Sequence, residues 1–355
     1  MKVLLLGEYS SLHNNLKHGL VELGHEVTIA AHADGFKQIP RDLDLDSTLP
    51  SILGKLHRRV KPYQMLSKLT GFDVVQLVNP FIFHQKGFPA LSYIQNIIDR
   101  NNKFFLSSAG DDAYFWRYGR ARLRYGPFDD FLKYDLHAER HYMEGEPAFR
   151  FNSEVVKRSR GVIPIMYEYE VSYADVPNRL NTIPIPVDVN KIAYKENNPR
   201  GKLVVFHGLN RYGAKGTRHV EAAFNNLSKK YPNDLELIID GKMTLEKYLE
   251  VMSKTNVVID QTNTYSLGVN GVFALAMGKI VLGGAEAESL TSIGVTSSPV
   301  LNVEPNANSI VCQIERLLEQ RSAIPQMGYE SRRFAEDVHG HIKIAAMYAD
   351  TWRNN

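Results

Sequence analysis

Arg211 and Lys215 stand four residues apart in HGLNRYGAKG (His207–Gly216), among Gly208, Gly213 and Gly216. Small residues let a backbone approach a ligand closely, and two cations at this spacing neutralise a diphosphate. A cation at a helix start opposes the helix dipole, so an anionic ligand explains the pair better than the following helix does. A second stretch, NVVIDQTNTYSLGVNGVFALAMGKIVLGG (Asn256–Gly284), reads as strand, polar loop, helix and strand. Its helix starts at Gly268-Val269-Asn270, where free N–H groups and the positive dipole end favour a phosphate. Two such termini in one sheet point to a nucleoside diphosphate. A third stretch, Ser107-Ser108-Ala109-Gly110-Asp111-Asp112, ends in two acids at a strand's carboxyl edge. Acids so placed bind acceptor hydroxyls or accept a proton, although one of the two reads equally as a helix N-cap.

The opening loop GEYSSLHNN lacks the glycine spacing of a dinucleotide site, and Glu8 repels phosphate, which argues against nicotinamide or flavin. Ser10, Ser11, His13 and Asn14 suit a sugar or another polyol, so Ser11 and His13 join Asp111 and Asp112 as acceptor-side candidates. For His13 and His207 the plainer reading is structural. No His/Cys/Asp cluster has metal-ligand spacing and no nucleophile motif is present, so neither a metal nor a cofactor is expected.

These residues need a scaffold of alternating strands and helices. Lys2–Leu6, Val27–Ala31, Asp73–Val78 and Lys103–Ser107 read as strands, with a helix over Asn15–Leu23. Phe151–Ile165 and Leu180–Pro186 supply the last strands and helix of the first half. After a linker at Tyr194–Lys202 come strands at Leu203–Phe206, Leu235–Asp240, Asn256–Asp260 and Ile280–Leu282, and helices at Val269–Met277 and Ile310–Arg321. A final helix, His341–Trp352, carries Ile344, Met347 and Tyr348 on one stripe, with Ile342, Ala345 and Ala349 beside it. The expected class is α/β with two Rossmann-like domains, 1–195 and 196–338, and a terminal helix, 339–355.

At 355 residues, 44% apolar and 23% charged, the chain has room for two cores. A formal charge of +3 does not call for nucleic acid. The single cysteine, Cys312, in an apolar helical context, fits a reducing cytoplasm. The residues after Met1 read as a strand, not an export signal, and no run reaches the ~20 apolar residues that span a bilayer. Lys55, Arg58, Arg59 and Lys61, and then Arg117, Arg120, Arg122 and Arg124, are interleaved with apolar and aromatic residues. That mixture suits an anionic membrane surface or a diphosphate-bearing acceptor. Pairing with Asp129, Asp130 or Asp135 on a solvated helix face is the plainer alternative.

The order strand, G-L-N-R-Y-G-A-K-G, helix, D-Q, loop, helix, G-K-I-V resembles the carboxyl-terminal domain of GT-B glycosyltransferases, most of all the retaining family-four nucleotide-sugar enzymes. G-H-E-V at Gly24–Val27 resembles their amino-terminal domain. The resemblance implies an inter-domain cleft, an acceptor on the first domain, a nucleotide sugar on the second, and a last helix crossing back to the first. It places the donor diphosphate on Arg211 and Lys215, which with Asp111 and Asp112 form the expected catalytic set. Further donor contacts are expected from Gly208, Asn210, Gly241, Met243, Tyr265, Ser266, Gly268, Val269, Asn270 and Glu286. Where the family carries E-x7-E, this chain has Tyr265 and Phe273; Asn270, Glu286 or Glu288 stand near enough to substitute. The implied activity is retaining transfer of a sugar from a nucleotide diphosphate sugar to a hydroxyl of a glycan or glycolipid. The implied setting is bacterial surface polysaccharide assembly, in the cytoplasm or peripheral to the inner membrane face. A nucleotide-sugar epimerase and a non-catalytic sugar-nucleotide-binding protein remain alternatives.

Overall fold

A strand as apolar as Val3-Leu4-Leu5-Leu6 must be covered on both faces, which is the condition of a parallel sheet with helices on either side. In the computed structural model, which describes residues 1–32, 39–47, 49, 51–85, 87–134, 141–241 and 243–355, these four residues have no exposed surface. The first half runs β1 (Lys2–Leu6), α1 (Leu12–Glu22), β2 (Glu26–Ala31), β3 (Leu43–Asp44), α2 (Ser51–Met65), β4 (Val74–Leu77), α3 (Ala90–Ile98) and β5 (Lys103–Ser108). It continues through α4 (Arg120–Arg122), α5 (Asp129–Tyr134), α6 (Glu146–Arg158), β6 (Gly161–Pro164) and α7 (Tyr167–Ser172). The strands form one parallel sheet in the order β3-β2-β1-β4-β5-β6.

The second half repeats the plan with β7 (Leu203–Gly208), α8 (Thr217–Lys230), β8 (Leu235–Asp240), α9 (Leu245–Lys254), β9 (Val257–Ile259) and α10 (Val269–Ala276). Then follow β10 (Ile280–Gly283), α11 (Ala287–Ser292), β11 (Leu301–Asn302), α12 (Ala307–Glu319), α13 (Ile324–His339) and α14 (His341–Asn354). Its parallel sheet has the order β11-β10-β9-β7-β8. Strand order reverses between β1 and β4 in one sheet and between β7 and β9 in the other. Ligand crevices open beyond the carboxyl ends of strands at such reversals. The loops after β1, β7 and β9 are thereby set to meet a ligand.

The last helix returns to the first sheet as expected. Ile344, Ala345, Tyr348, Ala349 and Trp352 are buried with Val3, Leu5, Leu16, Leu20 and Phe105. Trp352 Nε1 donates to Gln76 Oε1 (2.8 Å), so the one polar atom of the ring is satisfied inside the core. α14 approaches α1 so closely that a Cβ at Gly19 would lie 2.2 Å from the His341 carbonyl. Ile342, placed beside the stripe in the sequence reading, is instead 39% exposed. The two chain crossings between the halves are tied to each other: Val187 N donates to His339 O (2.8 Å) and His341 N to Val187 O (3.1 Å).

Four local expectations change. α1 starts at Leu12 because Ser10 and Ser11 take left-handed conformations (φ 54 and 69), and the Glu8 carboxylate accepts from Asn14 N (2.8 Å) at the helix start. Leu180–Pro186 is not a strand; it runs extended beside β6, with Leu180 N donating to Val162 O (2.8 Å). α13 was not foreseen. The segment Val189–Ile192, inside the expected first domain, is bonded to the second half, where Arg332 donates to the Ile192 and Val189 carbonyls (2.8 and 3.0 Å); from the expected linker, Asn197 Nδ2 donates to the Asn256 carbonyl (2.8 Å).

Because α14 covers the first sheet, Trp352→Ala should cost about 3–5 kcal/mol of stability in denaturant unfolding. Trp352→Phe keeps most of the volume but strands Gln76 Oε1, and should cost about 1–3 kcal/mol. Deleting residues 341–355 should melt the first half at markedly lower temperature while the second keeps its transition.

Candidate functional site

The loop after β7 and the loop after β9 interlock. Gly216 has φ 66, and a Cβ there would lie 2.1 Å from Thr262 Oγ1, so only glycine permits the contact. Thr262 N donates to the Lys215 carbonyl (3.1 Å) across the same seam. Lys215 Nζ is thereby held 3.3 Å from Asp260 Oδ1, while Asp260 Oδ2 accepts from Gly268 N (2.8 Å) at the start of α10. One buried carboxylate thus joins the lysine to the helix terminus. The remaining first-turn N–H groups of α10 have no intrahelical partner.

These groups face the first half across a cleft of about 420 Å³. Tyr9, Ser10, Asp111 and Tyr142 line one wall; Arg211, Lys215, Gln261, Thr264, Gly268 and Val269 line the other. Arg211 Nη2 reaches Asp111 Oδ2 (2.5 Å), an ion pair that spans the cleft. Both anion-suited termini and one acid of the expected catalytic set therefore converge.

Asp112 does not. It is fully buried, accepting from Phe115 N (2.8 Å) as the cap of the helical turn that begins at Ala113, and from Tyr173 OH (2.8 Å). Burial pushes its pKa up to about 6, against the pull of those two bonds. The expected acceptor contacts shift as well. His13 is buried, its Nδ1 donates to the Gly7 carbonyl (2.7 Å), and desolvation lowers its pKa to about 4. Ser11 sits at the start of α1, and its neighbours Tyr9 and Ser10 form the wall in its place. His207 is structural, bonded to the Ile259 carbonyl and Thr217 Oγ1 (both 2.9 Å).

On the donor side, Gly268 and Val269 line the cleft, and Asn270 is half-buried in the first turn of α10. Gly208 and Gly241 lie at the ends of β7 and β8, Asn210 is exposed, and Met243 packs in the cluster that holds Tyr248 and Phe273. Lys242 lies outside the described residues. Tyr265 and Glu286 are occupied by the first half. Tyr265 is 3% exposed; its ring stacks on Tyr125 (4.8 Å) and its hydroxyl accepts from Arg124 N (3.1 Å). Glu286 accepts from Tyr125 OH (2.6 Å) and Arg124 Nη2 (3.2 Å), and Glu288 is exposed.

Most of the basic residues offered to a membrane are engaged, though not by the acids expected. Arg117 pairs with Glu146 (2.7 Å), Arg122 with Asp175, Arg124 with Glu286 and Arg58 with Asp46 (3.6 Å). Lys61 donates to the Asp46 carbonyl and Arg120 lies over the Trp116 ring (4.2 Å). Arg59 is exposed, and the Lys55 side chain and Asp135 lie outside the described residues. Asp130 holds the domains together, accepting from Arg218 Nε (2.9 Å) and Asn263 Nδ2 (3.0 Å). Cys312 is exposed, so its apolar sequence neighbours do not cover it. Among the described residues no cluster of three His, Cys, Asp or Glu could hold a metal, and no helix is long and apolar enough to cross a membrane.

Sequence reasoning passed over Asp260, Tyr142 and Glu168. An acid closing a strand at the cleft edge is a usable signal for Asp260. Nothing local marks the other two.

No family model matches the sequence, and no curated protein does. Solved structures do match. Sucrose-phosphate synthase from Thermosynechococcus elongatus superposes with TM-score 0.67 at 14% identity, over 100% of this chain and 99% of that one. HepE of Anabaena in complex with UDP-glucose gives 0.64 at 13%, over 100% of both. A Listeria monocytogenes structure described as a UDP-N-acetylglucosamine 2-epimerase gives 0.53 at 12%, over 98% and 94%. At such identities the likeness is one of fold, and the fold is GT-B: two Rossmann-like domains about a cleft.

The buried groups set a pH dependence. His13, His207 and His339, each lowered to about 4 mainly by desolvation, stay neutral in the fold, while the unfolded chain protonates near 6.5. Stability therefore falls as pH drops through that window. Asp112 acts oppositely: raised from 3.8 to about 6, it favours the folded state more as pH drops from 6 toward 3.8. Three histidines outweigh Asp112 and Glu168, whose pKa burial also raises, so the Tm should fall between pH 7 and pH 5. Asp112→Asn should make that fall steeper.

Proposed function

We propose that this chain is a glycosyltransferase that moves a sugar from a nucleoside diphosphate sugar to a hydroxyl of a glycan or glycolipid acceptor. The observation that carries the reading is the convergence of Arg211, Lys215 and the amino terminus of α10 on one inter-domain cleft, opposite Asp111. As the glycosidic bond to the diphosphate breaks, negative charge grows on the leaving oxygens. Two cations and a helix terminus fixed beforehand stabilise that charge at no reorganisation cost. In the retaining course implied by the sequence resemblance, the acceptor hydroxyl enters on the face the diphosphate leaves. Asp111, on the first-half wall, is placed to orient the acceptor or receive its proton. The nucleotide sugar and the acceptor are the only reactants this chemistry requires. HepE of Anabaena, which shares the fold, has been solved with UDP-glucose, and that makes uridine donors the first to try.

Incubation with a panel of nucleotide sugars, with and without acceptor extracts, tests the reading. Acceptor-dependent release of nucleoside diphosphate supports it, and the anomeric configuration of the product by NMR reports retention or inversion. Isomerised donor released without acceptor would establish an epimerase instead, and binding without product a sugar-nucleotide-binding protein.

Arg211→Ala and Lys215→Ala should each weaken nucleoside diphosphate binding by about 1.5–3 kcal/mol in calorimetry; the melting temperature should change little for Arg211→Ala but fall for Lys215→Ala, which leaves the buried Asp260 carboxylate without its cation. Asp111→Asn should divide the two steps. It removes the carboxylate that competes for Arg211, so nucleoside diphosphate should bind equally well or up to ~5-fold tighter, while transfer falls.

A further inference from the structure

Glu168 is the most completely enclosed acid of the cleft wall. It lies on α7, in the first half, with no exposed surface. Its carboxylate accepts three hydrogen bonds from the loop that leads into α10 in the second half. Oε1 takes Tyr265 N (2.7 Å) and Ser266 N (2.9 Å), and Oε2 takes Ser266 Oγ (2.7 Å). The same loop has bonds within its own half, from Gln261 Nε2 and Thr264 Oγ1 to the Ser266 carbonyl (3.3 and 2.8 Å) and from Glu286 N to the Tyr265 carbonyl (3.1 Å). Those bonds satisfy carbonyls. The consecutive N–H groups of Tyr265 and Ser266 are satisfied from across the cleft by Glu168. Two residues further on, Gly268 N is pinned to Asp260, which holds Lys215. The geometry of the diphosphate-suited terminus therefore has one fixed end in its own domain and one in the other.

We propose that Glu168 is a positioning residue that makes the donor loop, Gln261–Gly268, adopt its binding conformation only when the two halves are closed. This rests on the glycosyltransferase reading above and adds to it the side chain by which closure is sensed. When the halves part, two adjacent backbone donors and a serine hydroxyl lose their acceptor, and the loop loses its register at the start of α10. When they meet, a single carboxylate restores all three bonds. Burial raises the pKa of Glu168, and the three loop donors together with the residue's own N–H act against that rise.

Amide hydrogen exchange and UDP binding on the full-length protein test the proposal, with Glu168→Ala and Glu168→Gln compared. Gln keeps an acceptor for both N–H groups and turns its amide toward Ser266 Oγ, so it is the conservative rescue. In Glu168→Ala the Tyr265 and Ser266 amides should exchange at least ~10-fold faster while the strands of both sheets keep their protection. UDP affinity should drop by a comparable factor, and kcat should fall more than the donor KM rises. Glu168→Gln should return exchange and affinity to within ~3-fold of the parent. Faster exchange in the Ala variant with unchanged UDP affinity and turnover would overturn the positioning role, as would unchanged exchange. A Gln variant as impaired as Ala would overturn it too. If the parent protein binds no nucleoside diphosphate, the glycosyltransferase reading itself fails, and this inference with it.

Discussion

The apolar stripe of α14 has to be buried, and it is buried against the first sheet and α1. That constraint organises the molecule. The chain crosses from the first half to the second near Val187, builds a complete parallel sheet, and returns at Gly340 to bury Ile344, Tyr348 and Trp352 beside Val3, Leu5 and Phe105. The two covalent crossings hydrogen-bond to each other, so the halves are joined by the chain at a single place.

Within that frame, acids make most of the contacts between the walls. Asp130 receives Arg218 and Asn263, Glu286 receives Arg124 and Tyr125, Asp111 receives Arg211, and Glu168 receives the backbone of the donor loop. These pairs differ in exposure. Asp111–Arg211 is partly open to solvent, so it contributes little to stability and yields readily to a better anion. Glu168 and Asp130 are buried, where an unpaired carboxylate is costly, so they favour the closed arrangement strongly. The buried acids bind the two walls together, while the Asp111–Arg211 pair remains partly open to solvent.

The same burial explains why neighbouring acids have different fates. Asp111 and Asp112 are adjacent in sequence, yet Gly110, at φ 73, turns the chain so that one carboxylate enters the cleft and the next caps the helical turn behind it. A Cβ at Gly110 would meet the Tyr9 ring at 2.8 Å. The turn that separates the two roles therefore also fixes the cleft wall.

What the sequence determined by itself is the part of this protein governed by local periodicity and chain chemistry. The runs Val3–Leu6 and Val257–Ile259 are too apolar and too short to be anything but buried strands, and their alternation with helices gives two Rossmann-like units. Arg211 and Lys215 among glycines mark an anion site because loop and helix start are contiguous in the chain. The stripe in α14 announces that it must be covered, although Ile342 shows that its edge was not legible. Only the tertiary structure decided which groups face each other across the cleft. Tyr265 and Glu286 read as donor contacts but are held by Arg124 and Tyr125, more than a hundred residues away. Glu168, in a short helix with no motif, supplies a carboxylate to the loop where the sequence itself has Tyr265. Such pairings depend on how two separately folded sheets dock, and docking is set by the summed shape and charge of surfaces that no stretch of chain contains alone.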